Sequence, residues 1–312
     1  RLFYRRMAVL VLIGFVHLMF IWSGDILMLY ALMGMALPLF RHVSDKALLR
    51  WAAFFVLLPV FVDAATSLLG ISLSAQAVRA QWHYCRMYGI TEENFGYWLR
   101  DADTYREVFQ FLVQGALVRV QEFVDGNRYF KVMGLFILGF YIGRRKLYAD
   151  LSSHKALLRR VATVGFAVGL PLSVVYAWSA VGGHPFGTVA HSVLYLVSVY
   201  PLGLAYMSGL CLLYLRSRDA RLWRWLAAPG RMALTNYIGQ SVVGMFLFYG
   251  IGLGLGASVG LATTELIALG VFALQVLFSK FWLHYCQFGP LEWVWRMLNY
   301  GRTFCLWNRQ NN

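Results

Sequence analysis

The stretch MAVLVLIGFVHLMFIWSGDILMLYALMGMALPLF, from Met7 to Phe40, decides the fold class. It contains two long apolar runs that meet at the polar sequence Ser23-Gly24-Asp25. In a bilayer, apolar runs of this length can satisfy their backbone hydrogen bonds only as helices. The stretch therefore predicts a hairpin of two membrane helices, with the Ser-Gly-Asp turn at a membrane surface.

A histidine lies inside the first apolar run. At a rise of about 1.5 Å per residue, His17 is about 10 Å from Gly24 along the helix axis, below the predicted surface. An ionisable ring at that depth needs a partner and often marks a functional site. Asp25, in the turn, is the nearest acid in the sequence. We name His17 and Asp25 as candidate catalytic residues, His17 as a general base or proton relay. The alternative is a neutral histidine that bonds a neighbouring helix.

The composition of the whole chain agrees with a membrane protein. Of its 312 residues 60% are hydrophobic and 13% charged, which excludes a soluble domain with one packed core. The 11 Trp, 18 Tyr and 23 Phe suit interfacial aromatic belts, and the 29 Gly suit close helix packing in lipid. We therefore expect the lipid bilayer to be its main partner.

The formal charge of +14 raises the question of a nucleic-acid partner. The predicted spans, however, place 21 of the 28 Lys and Arg on one side of the membrane, with short basic loops at Arg41 to Arg50, Arg144 to Lys146 and Arg216 to Arg224. Basic short loops on one side of the membrane are the positive-inside pattern, which assigns these loops to the cytoplasm. The charge therefore indicates topology, and we predict no nucleic-acid partner.

The apolar pattern predicts an all-α bundle of about eight transmembrane helices with both ends cytoplasmic. The predicted spans are residues 7–22, 26–40, 48–67, 129–142, 161–178, 188–215, 232–250 and 259–283. We expect one transmembrane domain, 1–312, with a long outer loop at 68–128 and a cytoplasmic tail at 284–312. Within that loop, Val108 to Val124 is periodic but polar, which favours an amphipathic helix in the interface over a span.

Metal and disulfide chemistry are not indicated. Cys85, Cys211, Cys286 and Cys305 lack CxxC spacing, so we predict neither a disulfide framework nor a metal site. Gly139 and Gly143, four residues apart, form a small-residue face that permits a homodimer without requiring one.

The seventh predicted helix carries a polar stripe near its cytoplasmic end. The candidate binding residues here are Arg231, Asn236, Tyr237, Gln240 and Ser241, with Thr235 beside them. So many polar residues within two turns favour a wet or ligand-lined cavity over simple helix-helix contacts, although the latter stay possible. Arg231, at the helix entrance, is suited to a phosphate or an anionic lipid head group.

Two further acids lie inside predicted spans. Asp63 and Glu265 are expected either to pair with basic groups or to stay protonated. Together with His17 they support an alternative function, a proton-coupled transporter. A non-enzymatic membrane sensor is the third hypothesis.

Three separated motifs resemble the YeiB-like family of bacterial inner-membrane proteins, the domain of unknown function 418. The first contains His17 with Trp22 and Gly24-Asp25-Ile26-Leu27, and the second runs from Gly230 to Tyr237 with Gln240-Ser241. The third is Phe288-Gly289-Pro290-Leu291-Glu292-Trp293, followed by Tyr300-Gly301. The motifs occur in the family's order and extend over nearly all of the chain. Family members usually begin with further helices that include an Arg-Gly motif, which this sequence lacks.

The resemblance also suggests a function. The YeiB-like family is similar to transmembrane acyltransferases of the heparan glucosaminide N-acetyltransferase type, which pass an acetyl group from cytoplasmic acetyl-CoA to a sugar. This similarity implies an acyltransferase of the bacterial inner membrane with acetyl-CoA as donor and an envelope sugar or small amine as acceptor. His17 would deprotonate the acceptor, and Asn236 or Tyr237 would donate to the oxyanion. Glu292 is expected to be structural, paired with Arg296 or Arg231.

Overall fold

The structure is a computed structural model that describes residues 1–308, and the last four residues of the predicted tail lie outside the described part. The described chain is helical. Its α-helices are α1 Leu2–Phe20, α2 Leu27–Ala36, α3 Asp45–Leu69, α4 Ala75–Tyr88, α5 Trp98–Asp101, α6 Tyr105–Asp125, α7 Arg128–Arg144, α8 Lys155–Val181, α9 Gly187–Arg216, α10 Arg221–Arg231, α11 Ala233–Phe248, α12 Leu261–Tyr285 and α13 Pro290–Tyr300. A 3-10 helix, Leu37–Phe40, continues α2 and has Pro38 in its first turn.

The helices confirm a polytopic helical membrane protein. Within the described residues, five helices are long and apolar enough to cross a membrane, namely α1, α3, α8, α9 and α12. The segments Leu27–Phe40 and Ala233–Phe248 are apolar but shorter. The remaining predicted span corresponds to α7, which has 17 residues. Several helices extend beyond the predicted spans, because basic residues such as Arg5 and Arg6 continue the hydrogen-bonded helix after the apolar run has ended.

The chain forms two compact units. The first contains Arg1–Met35, Ser74–Glu122 and the described residues of Arg221–Asn312, and the second contains Ala36–Leu73 and Phe123–Ala220. The first unit therefore holds the Ser-Gly-Asp turn and the polar stripe of α11. The second holds Asp63. That residues 1–312 act as one transmembrane domain stays a prediction.

Close helix contacts in the second unit depend on glycine. A Cβ atom at Gly165 of α8 would lie 2.5 Å from the carbonyl oxygen of Pro201 in α9. A Cβ atom at Gly134 of α7 would lie 2.7 Å from Val56 Cγ2 in α3. By contrast, a Cβ atom at Gly139 or Gly143 would meet nothing within 4 Å. No described residue therefore covers the predicted small-residue face at these two positions, and the homodimer stays a prediction.

The predicted outer loop is largely helical, because α4, α5 and α6 occupy most of it. The amphipathic helix expected at Val108 to Val124 forms as α6. Its buried side chains Val108 and Leu112 pack with Ala102 and Tyr249, next to the end of α11. The apolar face of α6 is thus covered by protein in the first unit.

Candidate functional site

The centre of the candidate site is a contact between His17 on α1 and Asp25 in the turn that follows it. His17 Nδ1 lies 3.0 Å from Asp25 Oδ1, and each residue is only 1% exposed. The second carboxylate oxygen, Oδ2, accepts a hydrogen bond from the backbone N–H of Met28 at 2.8 Å and so caps the start of α2. The candidate catalytic residues named from the sequence are therefore in direct contact.

This contact determines which ring nitrogen of His17 is available for chemistry. An ionised carboxylate can only accept, so Nδ1 carries the proton and Nε2 presents a lone pair. His17 Nε2 is buried and has no hydrogen-bond partner among residues 1–308, which the structure describes. Buried polar atoms are nearly always satisfied, so an orphaned nitrogen is a reason to look for a ligand or a catalytic role.

Tyr237 of α11 connects the pair to the polar stripe. Its hydroxyl lies 3.4 Å from Asp25 Oδ1 and accepts a hydrogen bond from the backbone N–H of Ile26 at 3.2 Å. The Tyr237 and His17 rings have centroids 5.0 Å apart. The motif in α1 and the motif in α11 thus form one cluster.

Arg119 of α6 fixes the turn from the other side. Its Nε donates to the carbonyl oxygen of Asp25 at 2.9 Å, and its Nη2 donates to that of Gly24. Glu122 in turn accepts from Arg119 at 2.5 Å. A Cβ atom at Gly115, also on α6, would lie 2.7 Å from Ser23 Cβ, so the helix packs directly on the turn. Sequence reasoning missed Arg119, and the only available signal was a lone arginine on the buried side of an amphipathic helix.

Gly14, one turn before His17, lets α2 approach α1. A Cβ atom at this position would lie 2.6 Å from the backbone nitrogen of Met28 and 2.9 Å from Asp25 Oδ2. Both atoms belong to the hydrogen bond that holds the carboxylate in place. Gly14 is therefore required sterically for the geometry of the pair.

We predict that Gly14→Ala destabilises the protein by about 1–3 kcal/mol, because the added methyl group overpacks against backbone. The matched control is Gly139→Ala, whose Cβ would meet nothing within 4 Å. There the gain in helix propensity, about 1 kcal/mol, makes the substitution neutral or stabilising. Thermal unfolding in detergent measures both. Equal stability of the two variants would contradict the close approach.

Two cavities adjoin the pair. The first, about 340 Å³, is lined by Trp22, Tyr237, Gln240, Ser241, Gly244, Met245, Phe248 and Tyr249. The second, about 440 Å³, is lined by Leu10, Leu27, Gly230, Arg231, Ala233, Leu234, Tyr237, Glu292 and Trp295. Tyr237 lines both cavities, and its ring centroid lies 5.0 Å from that of His17. Four of the five predicted binding residues therefore line a cavity: Arg231, Tyr237, Gln240 and Ser241.

Asn236 is the exception among the predicted binding residues. Its side-chain amide donates to Ser279 Oγ on α12 at 2.9 Å and to the Pro229 carbonyl at 3.3 Å. Its own carbonyl accepts from Gln275 Nε2 at 2.8 Å. Asn236 faces α12 and ties α11 to it, which is the helix-contact alternative that the sequence left open. Its proposed role as an oxyanion donor has no support in this geometry.

Glu292 is structural, but its expected ion pair with Arg296 or Arg231 is not the contact that forms. Its carboxylate accepts from the backbone N–H groups of Leu234 and Thr235 at 2.7 and 3.0 Å, and from Thr235 Oγ1 at 2.5 Å. These are the unpaired N–H groups at the N-terminus of α11, where a negative charge is favourable. The Arg296 guanidinium instead lies over the Phe288 ring, 4.2 Å from its centroid.

We predict that Glu292→Ala lowers the free energy of unfolding by about 2 kcal/mol or more, since a cap is lost and two N–H groups lose their acceptor. Glu292→Gln keeps one acceptor oxygen and should lose less than half as much. Thermal unfolding in detergent of both variants tests this. Equal losses would show that the carboxylate acts through its charge rather than through capping.

Asp63 lies in the second unit, in a buried polar cluster. Its Oδ1 accepts from Asn127 Nδ2 at 2.7 Å, and its Oδ2 accepts from the Ser192 hydroxyl. Asn127 is 2% exposed and begins α7 in the left-handed conformation, with φ of 48°. The other intramembrane acid, Glu265, is exposed on α12. The structure thus satisfies Asp63 with neutral donors.

Comparison with known proteins identifies the family. Residues 142–302 match a family model described as a protein of unknown function, DUF418. The chain is 30% identical over 308 residues to the uncharacterized protein YxaH of Bacillus subtilis (strain 168), an alignment that covers 96% of this chain and 72% of YxaH. The chain belongs to the DUF418 family.

Two further relatives agree with this assignment. An uncharacterized 39.9 kDa protein in the amylase 3' region of Bacillus acidopullulyticus is 29% identical over 305 residues, covering 97% of this chain and 72% of that one. The uncharacterized protein YeiB of Escherichia coli (strain K12) is 26% identical over 312 residues, covering 94% and 74%. No solved structure matches the chain. The resemblance to the YeiB-like family is confirmed, and the DUF418 name itself carries no activity.

Proposed function

We propose that this protein is a membrane acyltransferase that moves an acyl group from a cytoplasmic CoA thioester to a hydroxyl or amine of an envelope sugar or small molecule. The observation that supports the proposal most is the buried Asp25–His17 pair, whose Nε2 has no partner. A carboxylate that orients a histidine and leaves one nitrogen free is the arrangement of a general base.

In the proposed reaction, His17 Nε2 takes the proton from the acceptor hydroxyl or amine as that group attacks the thioester carbonyl. Asp25 stabilises the imidazolium that forms. When the tetrahedral intermediate collapses, the C–S bond breaks and the proton passes from His17 to the departing thiolate, which releases the free thiol. Atoms and charge balance without a metal or a redox partner. Tyr237 is the better placed candidate to donate to the oxyanion, because its hydroxyl adjoins the pair and its ring lines both cavities.

An acceptor reaches Nε2 only if a covering side chain moves, since this atom is buried. Trp22 is the candidate gate. Its ring lies edge-on to His17 with centroids 6.2 Å apart, and the residue is 46% exposed. A Cβ atom at Gly24 would lie 2.5 Å from the Trp22 ring, so glycine is what allows the ring to fold onto the turn. We infer that Trp22 swings away when the acceptor enters from the first cavity.

The family and the charge pattern support a proposal for the cellular setting. The relatives are bacterial proteins, and the basic loops indicate which side faces the cytoplasm. We propose the bacterial inner membrane, with Arg231 and the second cavity on the donor side and the Ser-Gly-Asp turn on the acceptor side. Acetyl-CoA is the simplest donor of this class.

The test incubates the purified protein in nanodiscs with labelled acetyl-CoA and a panel of amino sugars, sugars and small amines. Release of CoA together with a labelled, acetylated acceptor supports the proposal. Acetyl-CoA that stays intact with every acceptor, while the same protein in liposomes carries a substrate-dependent proton flux, would favour a proton-coupled transporter instead. The buried Asp63 cluster is the observation that favours that second function.

A further inference from the structure

A basic groove lies between α10 and α12 in the first unit, apart from the Asp25–His17 pair. Its volume is about 550 Å³, and its lining residues are Arg224, Trp225, Ala227, Ala228, Arg231, Leu277, Lys280, Phe281, Leu283 and His284. In α10, arginine and tryptophan alternate. This pattern is typical of a segment that lies on an anionic membrane surface. The positive-inside pattern that assigns the basic loops to the cytoplasm therefore also assigns this groove to the cytoplasmic surface.

The charges of this groove have one sign. Arg224, Arg231 and Lys280 supply three positive charges, and none of the lining residues is acidic. The ion pairs that the described residues form involve neither Arg224, Arg231 nor Lys280. Several cations in one concave site focus a positive potential and repel one another unless an anion is present. Such a site is suited to a multiply charged anion.

The remaining contacts of the cations hold them in place without neutralising them. Lys280 Nζ lies 3.2 Å from the centroid of the Trp225 ring, a cation–π contact that leaves its charge intact. Arg231 Nη2 donates to the Gln287 carbonyl at 3.2 Å, which uses one of the five N–H donors of a guanidinium. Arginine and lysine together with an aromatic face are the usual elements of phosphate and nucleotide recognition.

The groove adjoins the proposed reaction site through one residue. Arg231 lines both the groove and the second cavity, and Tyr237, which contacts His17, lines that cavity too. Arg231 is the last residue of α10 and Tyr237 is the fifth residue of α11, so the two lie six positions apart in the sequence. A donor with its phosphates in the groove could extend a thin flexible arm through the second cavity toward Tyr237.

We propose that the groove formed by Arg224, Trp225, Arg231, Lys280 and His284 is a binding site for a multiply charged phosphate group. Two sources supply that chemistry: the nucleotide portion of a CoA thioester and the head group of an anionic phospholipid. The assignment to CoA rests on the proposed function. The phosphate site itself stands on the groove's charge and shape.

The experiment uses the full chain in phosphatidylcholine nanodiscs and two probes. Equilibrium dialysis measures labelled CoA, and fluorescence transfer measures a labelled phosphatidylglycerol added to the disc. The variant is Arg224→Gln with Lys280→Gln, which removes two cations but spares Arg231 because that residue also lines the second cavity. The control is Arg221→Gln with Arg302→Gln, which removes the same charge from exposed positions outside the groove.

At least one probe should bind the wild type and bind the groove variant about tenfold more weakly or worse, since each lost charge-assisted contact weakens binding. The control should change affinity by less than about twofold, and the groove-dependent affinity should fall as salt rises. The probe that responds identifies the source. Binding of neither probe, or equal losses in the groove variant and the control, would overturn the phosphate site.

A second donor separates this inference from the proposed function. S-acetylpantetheine carries the thioester arm without the nucleotide. If both proposals hold for CoA, the groove variant loses transfer from acetyl-CoA through a raised KM and keeps transfer from S-acetylpantetheine. If the wild type transfers from neither donor yet binds a probe through the groove, the acyltransferase proposal fails and the phosphate site remains. Equal transfer from acetyl-CoA by wild type and groove variant would rule out the nucleotide as the ligand.

Discussion

Replacement of His17 by alanine should lower the rate of acyl transfer by about 10²–10⁴-fold, the range expected when a general base is lost. The reason is geometric. His17 Nδ1 is held by Asp25 at 3.0 Å, so Nε2 is the nitrogen left to accept the proton, and within the described part of the chain it has no hydrogen-bond partner. The measurement is turnover of labelled acetyl-CoA with a saturating acceptor.

Two companion variants define the role of the pair. Asp25→Asn keeps the size of the side chain but places a neutral amide against the His17 ring. The amide neither stabilises an imidazolium nor enforces the Nδ1–H tautomer. We expect a loss of turnover comparable to that of His17→Ala. Tyr237→Phe removes the proposed oxyanion donor as well as a 3.4 Å contact to Asp25, so it should lower turnover by about 10²–10³-fold. His17→Gln is the folding control, because it retains a polar side chain of similar length in the buried site.

A folded His17→Ala or His17→Gln protein with wild-type turnover would exclude His17 as the base. If His17→Ala and His17→Gln both lose activity and folding, Asp25→Asn becomes the deciding variant. Full activity of Asp25→Asn would exclude a catalytic role for the Asp25–His17 pair. Thermal unfolding of each variant is therefore measured beside its turnover.

The contact between His17 and Asp25 was predictable because the two residues are close in the sequence. His17 and Asp25 flank one short turn, and an intramembrane histidine needs a partner. Arg119, which holds the turn, was not predictable, since its contacts to Gly24 and Asp25 span 95 and 94 residues of sequence. Periodicity can show that α6 has a buried face, but it cannot show which turn lies beneath that face.

The helix assignments were predictable for a different reason than the side-chain contacts. A long apolar run is enough to predict a helix, and each of the eight predicted spans overlaps a helix of the structure. Helical spacing, however, shows which residues share a face and not which helix that face meets. The sequence therefore could not show that the Asn236 side chain donates to Ser279 on α12, whereas the hydroxyl of its neighbour Tyr237 contacts Asp25. Likewise, the Glu292 carboxylate accepts hydrogen bonds from two backbone N–H groups at the start of α11. A search of the sequence for oppositely charged side chains could not predict these backbone partners.

Replacement of Asp63 by alanine should destabilise the protein by about 2 kcal/mol or more, since two buried donors lose their acceptor at once. Asn127 Nδ2 donates to Oδ1 at 2.7 Å, and the Ser192 hydroxyl donates to Oδ2. All three residues are at most 8% exposed, so water cannot replace the lost contacts without entering the packed helices. The measurement is thermal unfolding in detergent, with Glu265→Ala as the control at an exposed acid.

The variant Asp63→Asn separates hydrogen bonding from charge. An asparagine can still accept from Asn127 through its oxygen and donate to Ser192 through its amide, so it should retain most of the stability. It cannot take up or release a proton. If Asp63 belongs to a proton pathway, Asp63→Asn abolishes proton flux in liposomes while the protein stays folded. If the acyltransferase proposal is right, the same variant keeps acetyl transfer.

A result in which Asp63→Asn is as unstable as Asp63→Ala would mean that the ionised charge, and not the shape of the acceptor, stabilises this cluster. The charge would then need a cation nearby. Lys131 is the candidate, because it lies on α7 four residues after Asn127, whose side chain donates to Asp63. In that case Lys131→Met should strongly destabilise the wild type. It should destabilise the Asp63→Asn variant little, because that variant has already lost the interaction between the two charges.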